Sequence, residues 1–137
     1  MKILSVLLAV ALIIVGCDKS QVAKQESGPM PVTNAVKTGD WMLTYSENNA
    51  SVDVGLTFFK FDTNGSLVAI KNGAAFNGTW TEANTNGNNT LKLNITTTDA
   101  KLQKTNRTWK VTGVSEYFID LKDTDAASSA TVQLMKH

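Results

Sequence analysis

Leu91-Lys92-Leu93-Asn94-Ile95-Thr96 decides the fold. Leucine, leucine and isoleucine alternate with lysine, asparagine and threonine, so one face is apolar and the other wet, the period-two pattern of a half-buried β-strand. Seven further segments of the same kind flank it, at 41–46, 54–62, 66–71, 75–82, 105–112, 116–122 and 130–136. Within them Trp41, Leu43 and Tyr45 share a face, as do Phe76, Gly78 and Trp80, Trp109 and Val111, Ile119 and Leu121, and Val132 and Leu134. The second segment is apolar on both sides. Val54, Leu56 and Phe58 alternate against Thr57, Phe59 and Phe61, so one set must lie outside a core. No segment reads as an amphipathic helix.

The links between segments carry turn chemistry: Asp62-Thr63-Asn64-Gly65, Asn72-Gly73, Asn86-Gly87 and Gly113-Val114-Ser115. Short links make consecutive strands antiparallel neighbours, because a parallel pair needs a crossover of a dozen residues or more. Only 97–104 and 123–129 approach that length. Eight strands in sequence order predict an all-β, eight-stranded antiparallel up-and-down barrel, which leaves no open edge. A β-sandwich is the alternative arrangement of the same strands.

The first 38 residues are different. Lys2, an apolar stretch at 3–15 and Gly16 have the order of a secretion leader, and thirteen apolar-run residues fall short of the ~20 a spanning helix needs. The run ends in Ile14-Val15-Gly16-Cys17, which holds the only cysteine and resembles the cleavage and lipidation box of bacterial lipoproteins. That resemblance implies a signal peptide at 1–16 and acyl chains on Cys17, an anchor that needs more than one chain to be stable. It places the protein at the bacterial cell envelope, lipid-anchored, in the outer membrane. Residues 17–38 are polar and contain Gly28-Pro29-Met30-Pro31, so they read as a flexible tether reaching on the order of 25 Å, with the barrel domain at 39–137. Removing residues 1–16 from 137 leaves 121, one domain's worth of chain. Without Lys2 its 12 basic side chains balance 12 acidic ones, which removes the electrostatic basis for binding nucleic acid.

Gly39-Asp40-Trp41, opening the first strand, resembles the glycine-x-tryptophan signature of lipocalin and wider calycin barrels. The stretch from Thr57 to Gly65, then Gly78-Thr79-Trp80 and Thr108-Trp109-Lys110-Val111, is similar to small lipocalin-like lipoproteins of Bacteroidota. The resemblance implies that Trp41 plugs the closed end under a base from the last strand. Lys136 has the parity of Val132 and Leu134 and is the candidate partner. The aromatic residues Tyr45, Phe59, Phe61, Phe76, Trp80 and Trp109 are the candidate lining of a cavity, because apolar walls with a few polar tips suit a small hydrophobic ligand, and the same residues can equally fill the barrel. The departures are the short domain, 99 residues from Gly39 to His137, and the missing outer helix.

Catalytic chemistry is not visible. The single histidine, His137, is the last residue, where chain ends fray. Asp62-x-Asn64-Gly65 imitates the start of a calcium loop but lacks the later ligands and distal glutamate. Asp120 alternates outward, and Asp123 and Asp125 read as loop residues. The expectation is therefore no catalytic residue, no metal site and no cofactor. What remains is an envelope lipoprotein that binds a small hydrophobic ligand, or one with a filled barrel that serves as a structural or protein-interaction module with an envelope partner.

Overall fold

The computed structural model describes residues 30–137, so Cys17 and the leader lie outside the described residues. Among the described residues nine strands form: β1 Trp41–Glu47, β2 Ala50–Val52, β3 Thr57–Phe61, β4 Ser66–Lys71, β5 Ala74–Thr85, β6 Asn88–Ile95, β7 Thr108–Val114, β8 Phe118–Asp123 and β9 Thr131–Lys136. Sequential neighbours from β3 to β9 pair antiparallel, β1 pairs with β3, and β9 returns to β1 with Trp41 opposite Lys136 and Ser46 opposite Thr131. Eight strands thus close an all-β antiparallel barrel, with β2 an extra strand outside that ring.

The alternation seen in the sequence sets the inside. In β6, Leu91, Leu93 and Ile95 are buried while Lys92 and Asn94 are exposed, and β8 and β9 repeat the pattern with Ile119, Leu121, Val132 and Leu134. These side chains form one continuous core with Trp41, Leu43, Tyr45, Phe59, Leu67, Trp80 and Trp109. Turns follow the chemistry of Asn-Gly pairs: Asn72 and Gly73 have φ of 50° and 84°, and Asn86 and Gly87 of 52° and 79°.

Several boundaries differ from the sequence reading. The second segment starts at Thr57 rather than at 54, after a turn in which Asp53 Oδ1 accepts the Gly55 N–H at 2.8 Å and Gly55 has φ +70°. β2 precedes that turn and is a strand the sequence reading did not include; it and β3 take the same edge of β1, one at its end and one at its start. Of the doubly apolar set, Val54 is buried, Leu56 is 60% exposed, and Phe58 is half-buried on the outer wall. Residues 105–107 precede rather than join β7, since Thr105 folds back to donate its hydroxyl to the Leu102 carbonyl at 2.7 Å. The turn expected at Gly113 moves to 115–117 as β7 continues to Val114. Finally, residues 30–36 are not tether. Val32–Ala35 form one helical turn, α1, and Val32, Ala35 and Val36 are buried in the core.

A second single turn, α2 at Ala100–Gln103, lies between β6 and β7 and buries Leu102. The two turns occupy opposite ends. The Trp41 end carries the start of β1, the Asn86-Gly87 turn, the 115–117 turn and α1; the other, here the Asp99 end, carries the Asn48-Asn49 and Asn72-Gly73 turns, α2 and the loop 124–130.

Candidate functional site

A lipocalin-type site would lie along the barrel axis, so the two ends and the interior are built in turn. At the Trp41 end, β1 and β9 place Trp41 and Lys136 as direct cross-strand partners, with Lys136 Nζ 5.9 Å from the indole centroid. The same ammonium donates to Thr38 Oγ1 at 2.9 Å. Gly39 makes this approach possible. Its φ is +90°, which favours glycine at the first position of the Gly-x-Trp motif, and a Cβ there would stand 2.7 Å from Lys136 Cε and make the lysine side chain shift off the indole. Trp41 is fully buried, and its Nε1 has no hydrogen-bond partner among the described residues.

Glu82 closes that end. It follows Trp80 by two residues on β5 and so points inward, where its carboxylate accepts the Val32 N–H at 2.7 Å, the Thr33 N–H at 2.9 Å and the Thr33 hydroxyl at 2.7 Å. Asn89 Nδ2 donates to it as well, at 2.7 Å. Burial alone would raise this carboxyl, but the hydrogen bonds from Asn89, Thr33 and Val32 outweigh burial and hold it below its ordinary value. One carboxylate on a strand therefore satisfies two of the otherwise unpaired N–H groups at the start of α1.

The Asp99 end is ringed by charge. Asp99 Oδ1 caps α2 by accepting the Lys101 and Leu102 N–H groups, both at 3.0 Å, and its other oxygen takes Lys71 Nζ at 2.6 Å. The Lys71 ammonium, then the capping bonds, lower its pKa. Arg107 pairs with Asp123, and Lys104 with Glu47 at 2.8 Å. Glu47 also accepts the Tyr45 hydroxyl, and burial together with that bond pushes the Tyr45 pKa up to about 12. Lys104 holds Glu47 below the usual carboxylate range, with help from Tyr45. Asp123, read from sequence as a loop residue, is the buried last residue of β8; burial would raise its pKa, but bonds from Asp125, Ser128 and Arg107 bring it down.

Between the ends, the six proposed lining residues occupy the interior themselves. Tyr45, Phe59, Trp80 and Trp109 are buried, and Phe61 and Phe76 are half-buried against the same core. They pack edge to face: Tyr45 on Trp109 with centroids 6.3 Å apart, Phe59 on Phe61 at 6.0 Å, Phe61 on Trp80 at 5.5 Å. The indole N–H groups of Trp80 and Trp109 donate to the backbone carbonyls of Asp62 and Thr105, at 2.8 and 3.0 Å. They are thus engaged by the fold itself.

Other sequence candidates resolve locally. Asp62 and Asn64 side chains accept the N–H groups of Asn64 and Ser66, which explains that turn without an ion. His137 is tied down, its N–H bonded to the Asp40 carbonyl at 2.8 Å and its ring edge-on to Phe58 at 5.2 Å. Sequence reasoning missed Glu82, Glu47, Arg107 and Asp123. Each shares inward parity with an aromatic or aliphatic neighbour two residues away, and that charged residue at the end of an apolar face was the available signal.

A search of solved structures finds this architecture in a lipocalin-like protein from Bacteroides uniformis, with a TM-score of 0.50 over 75% of this chain and 99% of that one, at 20% identity. The chain has a lipocalin-like barrel fold. No protein-family model and no curated protein matches the sequence. At this identity the likeness concerns the fold, and what the lipocalin-like barrel does rests on its own residues.

Proposed function

We propose that this lipocalin-like barrel is a lipid-anchored envelope protein, held in the outer membrane through Cys17, that works from its outer surface as a structural or protein-interaction module. One observation carries the reading: the interior is occupied by the chain's own side chains, and each end bears a helical turn capped by a carboxylate. Eight strands enclose a bore just wide enough for side chains or one small ligand, and here large aromatic residues take that space. The lipidation box at 14–17 supplies the anchoring half of the reading.

The second reading is the small hydrophobic ligand. It is favoured by two buried polar atoms without partners among the described residues, Trp41 Nε1 and Asn89 Oδ1, which a ligand with a polar tip would satisfy. Two measurements test the first reading. In a lipoprotein-competent host the parent should partition into detergent and Cys17→Ser should not; equal partitioning would contradict anchoring. Native mass spectrometry of the purified chain should give the lipidated protein alone, whereas a stoichiometric apolar passenger would replace the filled-core reading with the second.

A further inference from the structure

We propose that the Trp41 end of the barrel rests on the bilayer, with Tyr117 and Phe118 entering its interfacial region. The inference rests on lipidation at Cys17 and adds a docking surface and an orientation to it.

The first observation is where the chain enters the fold. Met30 packs against the core just before α1, and Glu82 ties α1 to β5 at the Trp41 end. The intervening residues, 17–29, are thirteen in number and reach at most roughly 45 Å even when fully extended. An anchor so connected brings the Trp41 end to the membrane first, because reaching past the barrel to present the opposite end would consume most of that length.

The second observation is independent of the first. Tyr117 is 70% exposed and Phe118 39% exposed, and both stand at the 115–117 turn of the Trp41 end. The tip is rigid. Ser115 Oγ accepts the N–H groups of both Tyr117 and Phe118 at 3.1 Å, and the Tyr117 carbonyl takes the Lys136 N–H at 2.9 Å. Aromatic side chains, one of them with a polar tip, suit the headgroup boundary, where the ring is buried and the hydroxyl stays wet. The outer wall behind them is also apolar, since Phe118 faces Met135, Met135 faces Met42, and Met42 faces Phe58 across successive strands.

Charge favours no particular headgroup. Glu116 adjoins Tyr117, and Lys60 is paired with Asp40 at 3.4 Å, so the contact is apolar and zwitterionic lipid suffices.

Lipidation consumes the sole native thiol, so a cysteine placed elsewhere is the only site for a thiol-reactive dye. Tyr117→Cys and, at the Asp99 end, Ala126→Cys are labelled with an environment-sensitive nitrobenzoxadiazole dye in the mature lipidated chain, in phosphatidylcholine vesicles. The expected result is a blue shift at 117 and loss of emission when the lipids carry a nitroxide near the headgroup, with neither at 126. A chain that floats with the vesicles but shows no quenching at either position, or equal quenching at both, overturns the proposal; the former leaves the Tyr117 face to a protein partner. A chain that does not float overturns the lipidation reading and this inference with it.

Discussion

Both ends of the barrel are shut by a single helical turn under a carboxylate, yet the two carboxylates come from different places. Asp99 immediately precedes α2 and caps it as any N-terminal aspartate does, so the turn at that end is specified by its own few residues. Glu82 caps α1 from β5, across 49 and 50 residues of sequence, and α1 exists only where the barrel puts that side chain. A four-residue helix has no stability of its own. The difference teaches that the Asp99 end is closed by local chemistry, while the Trp41 end is closed by tertiary structure and should loosen when the barrel does.

The comparison sharpens first at the core. Trp41→Ala should cost ~3–5 kcal/mol, because a fully buried indole leaves a cavity next to α1 and β9. Chemical denaturation checks this, and a double-mutant cycle with Lys136→Met should return a coupling of only ~0.5–1 kcal/mol for the cation over the ring.

Next in size is Glu82→Ala, expected to cost ~1.5–3 kcal/mol, since it removes hydrogen bonds to a charged acceptor and strands N–H groups at the start of α1. Its pH dependence has a definite sign. The folded carboxyl lies below its ordinary value, so the stabilisation is complete above the unfolded carboxylate pKa and disappears as pH falls through the folded one. Stability of the parent should therefore fall in acid more steeply than that of Glu82→Gln, and parallel acid profiles would break the comparison.

Smaller still is Asp99→Ala, at ~0.5–2 kcal/mol for a lost cap. Its signature is local. Amide exchange should quicken at Lys101 and Leu102 and leave Val32 and Thr33 unchanged, whereas Glu82→Ala should do the reverse.

The sequence made the wall of the barrel legible because strand periodicity is a property of neighbours: Leu91, Leu93 and Ile95 declare their face within six residues. Asn-Gly at 72–73 and 86–87 is equally local, since few other pairs accept two positive φ values. What escaped reading was set at a distance. Val32 and Val36 look like two apolar residues in a polar stretch until β5 and Glu82 are beside them. Glu82 and Asp123 carry inward parity, but only the finished barrel shows that α1 and Arg107 wait there to pair with them. The turn between β2 and β3, in which Asp53 accepts the Gly55 N–H, is concealed by an apolar run at 54–61.

The most direct test of a filled, doubly closed barrel is its own tryptophan emission during titration with fatty acid or retinoid. All three tryptophans, Trp41, Trp80 and Trp109, sit in the core and would report any occupant. The account predicts no saturable change in intensity or wavelength. A saturable, stoichiometric change abolished by Trp80→Phe or Trp109→Phe would contradict it and show that the barrel opens to hold a ligand.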